Sequence, residues 1–322
     1  MTTEKNYEVA QRIRKEVGRV IVGQEETINL LLVGLFSGGH ILLEDVPGVG
    51  KTVLAKALAA SIGADFSRVQ CTPDLLPSDV IGTTVFNQKS GEFEFREGPL
   101  FAQLVLADEI NRAIPRTQSS LLEAMAEGQI TTDGVTRALE RPFFVMATQN
   151  PIESHGTFPL PEAQLDRFLM RISLGYPSHE EERRIFRLSR QDAKALQIEA
   201  VVSPEDVIEV QNAVRQVKMT QEVEDYLIQL VRKTREWDGI AIGVSPRGLI
   251  ALGAAAQALA VIRGRDYVIP DDIKYLAPKV LTHRLVLDSS MRLKQKTARD
   301  LLDEILNDST VPVEDDAAQA AR

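Results

Sequence analysis

The sequence predicts an α/β protein in which a parallel five-stranded sheet lies between helices and an all-α domain follows. Short apolar runs alternate with helical patterns through the first 175 residues, as they do where helices join the parallel strands of one sheet. After Gly175 the apolar runs stop and helix-start signals take over. The sequence therefore predicts an α/β domain over residues 1–175 and a helical domain over residues 176–310.

Five apolar segments are the predicted strands of the sheet. Each is short and bounded by turn or helix signals, which indicates a buried strand. These segments cover residues 40–44, 66–71, 104–109, 143–150 and 170–175. Apolar residues at helical spacing over residues 7–21 and 24–36 predict two helices ahead of the first strand.

Two segments interrupt this alternation and are predicted to form β-hairpin inserts. Residues 82–98 alternate Phe93 and Phe95 with charged residues around a turn, and residues 129–137 contain an Asp-Gly pair, a strong signal for a two-residue hairpin turn. Because alternate residues of a strand share a face, Phe93 and Phe95 are expected on one face. That face either packs on the domain or offers aromatic contacts to a partner.

The second domain is predicted from its helix-start signals. Ser-Pro and Pro-Asp pairs place a capping residue or a first-turn proline where helices begin, at Ser203, Ser245 and Pro270. Residues 311–322 contain too few apolar side chains to pack on a core, so the sequence predicts that this tail is disordered.

The composition limits the classes of protein and partner. Hydrophobic residues make up 44% of the chain, and no apolar run reaches the roughly 18 residues needed to cross a bilayer, so no transmembrane segment is expected. The charged N-terminus differs from a signal peptide and Cys71 is a single cysteine, which together favour the cytoplasm. The net charge of -9 disfavours binding to nucleic acid, since that binding needs many Lys and Arg contacts.

A glycine-rich segment after the first strand carries the strongest chemical signal. The sequence DVPGVGKT, from Asp45 to Thr52, can bring backbone N–H groups close to a triphosphate, and the helix that follows adds the positive end of its dipole. Lys51 is expected at the β and γ phosphates of ATP, and Thr52 at Mg²⁺. The expected nucleotide contacts are Pro47, Gly48, Val49, Gly50, Lys51, Thr52 and Val53.

Asp45 departs from the usual pattern of such a P-loop. A glycine is expected at this position, the first of the motif GxxxxGK[ST], whereas Gly48 and Gly50 stand nearest the phosphates as usual. We therefore expect the P-loop to bind nucleotide, and the backbone geometry at Asp45 stays an open question.

Two adjacent carboxylates, Asp108 and Glu109, end the third predicted strand. Ligands of open α/β sheets bind at the carboxyl ends of strands, and two carboxylates placed there are costly unless they serve a cation or a proton transfer. With a P-loop in the same sheet, the pair predicts a Walker B motif. Asp108 is expected to hold Mg²⁺, mostly through water, and Glu109 to polarise the attacking water.

The chain resembles the MoxR family of AAA+ ATPases over about residues 20–285. The P-loop, the Walker B pair and the insert of residues 82–98 carry this resemblance, joined by the strings DEINRA (108–113), NPIE (150–153) and FPLPEAQLDRF (158–168). The resemblance implies an AAA+ P-loop NTPase domain followed by an all-α lid domain. It also implies a hexameric ATPase that uses ATP and Mg²⁺ to remodel client proteins, often beside a von Willebrand A domain partner.

Two further residues take catalytic roles from the resemblance. Asn150, after the fourth predicted strand, resembles the sensor 1 residue that orients the lytic water. Arg167 resembles an arginine finger that acts on the neighbouring subunit, where a cation stabilises the charge on the transferred phosphoryl group. The alternative for Arg167 is an internal salt bridge to Glu162 or Asp166. Rival fingers are Arg112, Arg116 and Arg171.

The lid and the N-terminal segment supply the remaining candidates. Arg247 lies in the first turn of the helix that Ser245 opens, where a cation is unfavourable unless an anion faces it, and it resembles sensor 2. A solvated arginine is the alternative. Val22 and Gly23 resemble the residues that contact the adenine edge. His155 lies where the family more usually has other residues, and no role is assigned to it.

Three other functions stay open at this point. A nucleic-acid-remodelling AAA+ motor has a similar hairpin-bearing fold, but the acidic composition disfavours it. A nucleotide-gated binding switch without turnover would not need Glu109, and its presence favours hydrolysis. A magnesium-chelatase-like motor subunit is the third possibility. A partner protein that carries a porphyrin site would distinguish it from the other two.

Overall fold

The computed structural model describes residues 2–151, 156–190 and 197–311. In chain order the strands are β1 (Ile41–Glu44), β2 (Phe66–Gln70), β3 (Gly82–Asn87), β4 (Glu92–Glu97), β5 (Leu104–Asp108), β6 (Gln129–Thr132), β7 (Val135–Ala138), β8 (Phe144–Gln149), β9 (Met170–Ile172), β10 (Ile240–Ile242) and β11 (Val286–Leu287). The tail predicted over residues 311–322 lies outside the described residues from residue 312 onward.

The helices surround the sheet and build the second domain. In chain order they are α1 (Thr3–Val17), α2 (Glu25–Ser37), α3 (Lys51–Ser61), α4 (Pro77–Ile81), α5 (Pro115–Glu127), α6 (Glu162–Leu165), α7 (His179–Leu188), α8 (Pro204–Val214), α9 (Gln221–Glu236), α10 (Pro246–Ile262), α11 (Pro270–Leu281), α12 (Ser289–Leu293) and α13 (Ala298–Asp308). Among the described residues, none of these helices has the length and apolar content to cross a membrane.

The predicted parallel five-stranded sheet is confirmed, with its strands in the order β2, β5, β8, β1, β9. Strand β5 is buried from Leu104 to Ala107, as expected for a strand covered by helices on both faces. Because the strands are parallel, their carboxyl ends meet at one edge of the sheet. There Gln70 lies opposite Asp108, and Glu44 lies opposite Gln149.

Both predicted hairpins are present, as β3–β4 and β6–β7. They contact each other, because Thr84 Oγ1 donates a 2.6 Å hydrogen bond to Asp133 Oδ2 and the Arg137 guanidinium lies 3.8 Å from the centroid of the Phe95 ring. Asp133 and Gly134 have positive φ angles of 54° and 76°, which a type I′ hairpin turn requires. The two inserts therefore form one joined unit.

The two phenylalanines of β4 have different environments. Phe95 packs on Phe101, with 5.7 Å between the ring centroids, and lies under Arg137. Phe93 faces Phe86 across the hairpin at 5.3 Å, and these two residues are 75% and 53% exposed. Both environments predicted for this face are therefore observed, each at one of the two phenylalanines. Phe95 packs on the protein, whereas Phe93 forms an exposed aromatic pair with Phe86.

The second domain is helical, as predicted, and helices begin at Ser203, Ser245 and Pro270 as expected. One correction concerns the all-α description, because β10 and β11 form a two-stranded antiparallel sheet in this domain. Strands of three and two residues are too short to leave a periodic pattern in the sequence. The domain packs on the first one through α8 and α10, which contact α2. The boundary at residue 175 stays a prediction.

The buried side chain of Arg284 anchors the second domain to the segment ahead of β9. Its Nε atom donates a 2.6 Å hydrogen bond to Asp166 Oδ1, and the side chain is only 3% exposed. Its Nη2 atom donates to the carbonyl groups of Phe168 at 2.6 Å and Asp166 at 3.1 Å, and its Nη1 atom donates to that of Leu169 at 3.1 Å. Arg284 therefore holds the backbone around Arg167 in place.

A second buried side chain, His40, joins the start of β1 to its neighbours. Its Nδ1 atom accepts a 3.0 Å hydrogen bond from the Val145 N–H group, and its Nε2 atom lies 2.9 Å from the Met125 carbonyl oxygen. The neutral ring with a proton on Nε2 satisfies both contacts. Burial lowers the pKa of His40 to about 4, so the folded protein keeps this ring neutral.

We expect His40 to make the free energy of unfolding depend on pH. The unfolded chain binds a proton at an ordinary histidine pKa of about 6.5, whereas the fold binds one only near pH 4, so stability is lost as the pH falls between these values. From pH 7 to pH 5 the loss from His40 is about 2 kcal/mol. Urea unfolding of the parent and of His40→Asn, whose amide oxygen replaces the Nδ1 acceptor for the Val145 N–H group without titrating, measures it. Equal losses in both proteins would contradict the assignment.

Candidate active site

Three of the predicted catalytic residues, Lys51, Glu109 and Asn150, meet in one cleft at the carboxyl edge of the sheet. The cleft has a volume of about 400 Å³ and lies between the P-loop and the ends of β2, β5 and β8. It is lined by Pro47, Gly48, Gly50, Lys51, Thr52, Val53, Arg68, Gln70, Asp108, Glu109 and Asn150. The structure thus brings together residues that are up to 103 positions apart in the sequence, from Pro47 to Asn150, because parallel strands end side by side.

The P-loop forms an open cradle of backbone groups. Gly48 and Gly50 have φ angles of 88° and 92°, a left-handed conformation that other residues rarely adopt. No atom lies within 4 Å of where a Cβ atom would stand at either glycine, so space remains in front of the backbone. Gly50 is the N-cap of α3, whose free N–H groups face this space. Lys51 Nζ donates hydrogen bonds to the carbonyl groups of Asp45 at 2.9 Å and Val46 at 3.3 Å.

The structure answers the question of the backbone at Asp45. Its N–H group donates a 3.2 Å hydrogen bond to the Gln149 carbonyl, which extends the pairing of β1 with β8 by one residue. Its φ angle is not among the positive ones, so this position does not need a glycine. Its carboxylate is buried and turns away from the cradle toward residues 173–175.

One threonine contacts both residues of the Walker B pair, through the carboxylate of Asp108 and the backbone of Glu109. The Thr148 hydroxyl donates a 2.6 Å hydrogen bond to Asp108 Oδ1 and accepts a 2.8 Å hydrogen bond from the Glu109 N–H group. Glu109 has a φ angle of 58°, so its backbone is strained into the left-handed region. This turn directs Glu109 into the cleft beside Asp108, while Asn150 lines the same cleft from the end of β8.

Two side chains that the sequence interpretation missed, Arg68 and Gln70, hold these carboxylates together with Arg112, one of the rival fingers. Arg68 Nη2 donates a 2.7 Å hydrogen bond to Asp108 Oδ2. Gln70 Nε2 and Arg112 Nη1 donate to Glu109 Oε2 at 3.1 Å and 2.9 Å. The alternation within β2 could have identified Arg68 and Gln70, since residues two apart share a face and these two polar residues end a strand beside the Walker B strand. Burial, together with the charges of Asp108 and Glu109, raises the pKa of the nearby Cys71 thiol to about 12.

The residues present fit an Mg²⁺ ion together with a triphosphate. Thr52 and Asp108 supply hydroxyl and carboxylate oxygens, the hard donors that Mg²⁺ prefers, and both line the cleft beside the open glycine cradle. Asp108 is held by Arg68, whose side chain is 44% exposed and has room to move away from the carboxylate.

An apolar cleft of about 490 Å³ adjoins the other side of the P-loop. Tyr176, Ile185 and Phe186 line it opposite Gly48 and Gly50. Tyr176 and Phe186 are 78% and 64% exposed, so flat apolar side chains stand open next to the phosphate cradle. The sequence interpretation did not find these residues, because they lie in the helical region and carry no motif.

Val22 and Gly23, the predicted adenine contacts, do not line either of these two clefts among the described residues. Val22 is buried at 5% exposure. A Cβ atom on Gly23 would stand 2.0 Å from Glu181 Oε1, so the glycine permits the close approach of α7. Their role in base binding stays a prediction.

Arg167 and Arg247 lie outside the P-loop cleft. The chain segments that carry these two arginines contact each other. Arg167 is half-buried, and its Nη1 atom donates a 3.0 Å hydrogen bond to the Leu122 carbonyl. Arg247 is exposed in the first turn of α10, and the N-cap of that helix, Ser245, donates a 3.3 Å hydrogen bond to Asp166 Oδ2. Neither arginine lines the P-loop cleft.

The observed ion pairs bear on two questions: whether Arg167 forms an internal salt bridge, and which other arginines could act as the finger. Asp166 pairs with Arg284 rather than with Arg167. Arg112 pairs with Glu109 of its own subunit, and Arg171 lies 3.2 Å from Glu44. Arg116 is exposed on α5 and remains a rival. His155 lies outside the described residues.

Comparisons with known families match both domains. The model described as ATPase family associated with various cellular activities (AAA) matches residues 40–170. The model described as AAA lid domain matches residues 232–305, from within α9 to α13.

Similar proteins span nearly the whole chain. It is 51% identical to the protein YeaC of Bacillus subtilis (strain 168), over 95% of both chains. It is 43% identical to Chaperone MoxR1 of Mycobacterium tuberculosis, over 92% of this chain and 81% of that one. A crystal structure of a candidate ATPase from Cytophaga hutchinsonii superimposes with a TM-score of 0.90 at 42% identity, covering 96% of this chain and 98% of that chain. The chain therefore belongs to the MoxR family of AAA+ ATPases.

Proposed function

We propose that this protein hydrolyses ATP at the interfaces of a ring and uses the energy to remodel client proteins. The observation that carries the first part is the cleft itself, where the glycine cradle, Lys51 and the Walker B carboxylates share one space. A binding switch without turnover would have no use for a carboxylate strained into this cleft at Glu109.

The chain's own residues divide the work of hydrolysis. The N–H groups at the start of α3 and Lys51, once it leaves the Asp45 carbonyl, bind the phosphates. Thr52 and Asp108 would hold Mg²⁺, which when bound neutralises charge on the phosphate oxygens. Glu109 orients the attacking water and takes its proton, and Asn150 positions the same water from the next strand. Gln70 and Arg112 hold Glu109 until nucleotide arrives.

The apolar cleft beside the P-loop is the proposed seat of the adenine base. Its position against Gly48 and Gly50 is within reach of a nucleotide whose phosphates lie in the cradle. Tyr176 and Phe186 offer flat faces to stack on an adenine ring.

We expect Glu109→Gln to bind Mg-ATP with near-normal affinity and to hydrolyse it about 10² to 10⁴ times more slowly, because the amide cannot take the proton of the water. Steady-state phosphate release and equilibrium nucleotide binding measure the two effects. Glu123→Gln, a carboxylate exposed on α5, is the matched control and should keep parental turnover. Parental turnover in Glu109→Gln would refute its role as the catalytic base.

Arg167 and Arg247 are proposed to act together on the nucleotide of the neighbouring subunit. Asp166 lies next to Arg167 in the chain and accepts a hydrogen bond from Ser245, two residues before Arg247. Both arginines are therefore carried by one cluster, away from the P-loop cleft of their own subunit. A ring, for which six subunits is the family expectation, would bring this cluster to the next cleft.

Mixing variants tests this arrangement. Arg167→Ala and Arg247→Ala should each bind ATP and lose turnover, and each should regain activity when mixed with Lys51→Ala. A mixture of Arg167→Ala with Arg247→Ala should stay inactive, because every subunit then presents an incomplete pair to its neighbour. Phosphate release across mixing ratios, in rings shown to exchange subunits, measures the outcome. Recovery in the last mixture would mean that Arg247 acts within its own subunit.

Remodelling of clients is assigned to the joined hairpins. Neither hairpin lines the P-loop cleft among the described residues, so both are free for another task. The exposed pair of Phe86 and Phe93 offers the aromatic surface that protein interfaces favour. The Chaperone MoxR1 relative supports protein clients rather than nucleic acid. A von Willebrand A domain protein remains the partner that the family resemblance implies.

We expect the double variant Phe86→Ser, Phe93→Ser to keep ATP hydrolysis within about threefold of the parent and to lose ATP-dependent client capture, because the pair offers exposed aromatic surface and lies outside the P-loop cleft. Proteins that co-purify with the Glu109→Gln form in ATP, with and without the serines, give the comparison. Leu293→Ser, which removes an apolar residue exposed by 86% in the lid, is the control. Undiminished capture by the double variant would direct the search to another surface.

A further inference from the structure

Asp45 has attachments on two sides of the active site. Its carboxylate accepts hydrogen bonds from Ser173 Oγ at 2.7 Å, from the Leu174 N–H group at 2.6 Å and from the Gly175 N–H group at 3.2 Å. Its backbone carbonyl accepts the 2.9 Å hydrogen bond from Lys51 Nζ. One residue thus contacts both the phosphate-binding lysine and the segment that follows β9.

The burial of Asp45 indicates that these contacts are specific. Asp45 is 6% exposed, and a buried carboxylate is costly unless hydrogen-bond donors surround it. Here two N–H groups and one hydroxyl supply those donors. A glycine, the usual residue of this position, would leave the N–H groups of Leu174 and Gly175 without this acceptor.

The segment bound by Asp45 leads directly to the proposed base seat. Residues 173–175 join β9 to α7, and Tyr176 of the apolar cleft follows at once. From the other side, Gln24 Nε2 donates a 3.0 Å hydrogen bond to the Leu174 carbonyl. Any shift of these residues therefore moves the wall formed by Tyr176, Ile185 and Phe186.

We propose that Asp45 is a positioning residue that couples the P-loop to α7, so that binding of phosphates by Lys51 fixes the wall that receives the base. This inference rests on the proposed function, since it presupposes nucleotide binding and the proposed seat of the base. When Lys51 moves from the Asp45 carbonyl to the phosphates, Asp45 loses a hydrogen bond. Asp45 is also the residue whose carboxylate holds residues 173–175. Asp45 alone therefore connects the movement of Lys51 in the P-loop to residues 173–175.

Hydrogen exchange of the full chain carrying Glu109→Gln, with and without Mg-ATP, tests the coupling. In that chain we expect nucleotide to slow exchange both in the P-loop, residues 46–56, and in residues 173–188. Adding Asp45→Asn keeps the size of the side chain but replaces one acceptor oxygen with an amide NH2 group, which can only donate. At saturating Mg-ATP it should keep the slowing in the P-loop and lose that in residues 173–188, and its dissociation constant for Mg-ATP should rise about tenfold.

A neighbouring carboxylate supplies the matched control. Glu44 also joins the end of β1 to β9, but its carboxylate pairs with Arg171 rather than with residues 173–175. Glu44→Gln should therefore keep both protected regions. Ser173→Ala removes one donor from the opposite side and should show a smaller loss of the same kind, which keeps the test decisive if Asp45→Asn fails to fold.

Two outcomes would separate this inference from the proposed function. Equal protection of residues 173–188 by Mg-ATP in parent, Asp45→Asn and Ser173→Ala would overturn the coupling while leaving ATP binding intact. Absence of any protection in the P-loop of the Glu109→Gln chain would overturn nucleotide binding itself, and the coupling with it.

Discussion

The arrangement of the molecule depends on one buried guanidinium group. Arg284 of the lid gives its hydrogen bonds to the backbone and carboxylate of the segment 166–169, which precedes β9. Burial lowers the pKa of this arginine, but the Asp166 carboxylate opposes that effect and the carbonyl groups satisfy its donors. Breaking a buried ion pair leaves an uncompensated charge. Separating the lid from this segment therefore has a large cost in free energy. Domain motion must therefore carry the Arg167 segment along with the lid.

The active site itself is arranged by contacts between strand ends. The Thr148 hydroxyl fixes Asp108 and the Glu109 backbone at once, so a residue of β8 sets the geometry of a motif on β5. Arg68 and Gln70 do the same from β2. Such a site needs the correct strand order, because side chains of β2 and β8 hold the two carboxylates at the end of β5.

The parts of the fold that the sequence predicted are those with a local signal. The strands, the hairpin turn at Asp133 and the P-loop glycines follow from apolar runs, φ requirements and motif spacing. The contacts of Asp45 with residues 173–175 and of Arg284 with Asp166 join positions more than 100 residues apart, and no local pattern records them. The different environments of Phe93 and Phe95 also have no local signal, because they arise from a second hairpin that covers Phe95 and leaves Phe93 exposed.

The left-handed backbone of Glu109 sets stability against the catalytic role proposed for this residue. A non-glycine residue at a φ angle of 58° costs on the order of 1 kcal/mol, and glycine would occupy this position without that cost. Laboratory evolution for heat resistance alone would thus favour loss of the carboxylate. Where Glu109 persists among natural variants, selection for turnover must outweigh a standing thermodynamic preference for its removal, so its retention in a newly sequenced homologue is itself a test of whether that homologue is a working motor.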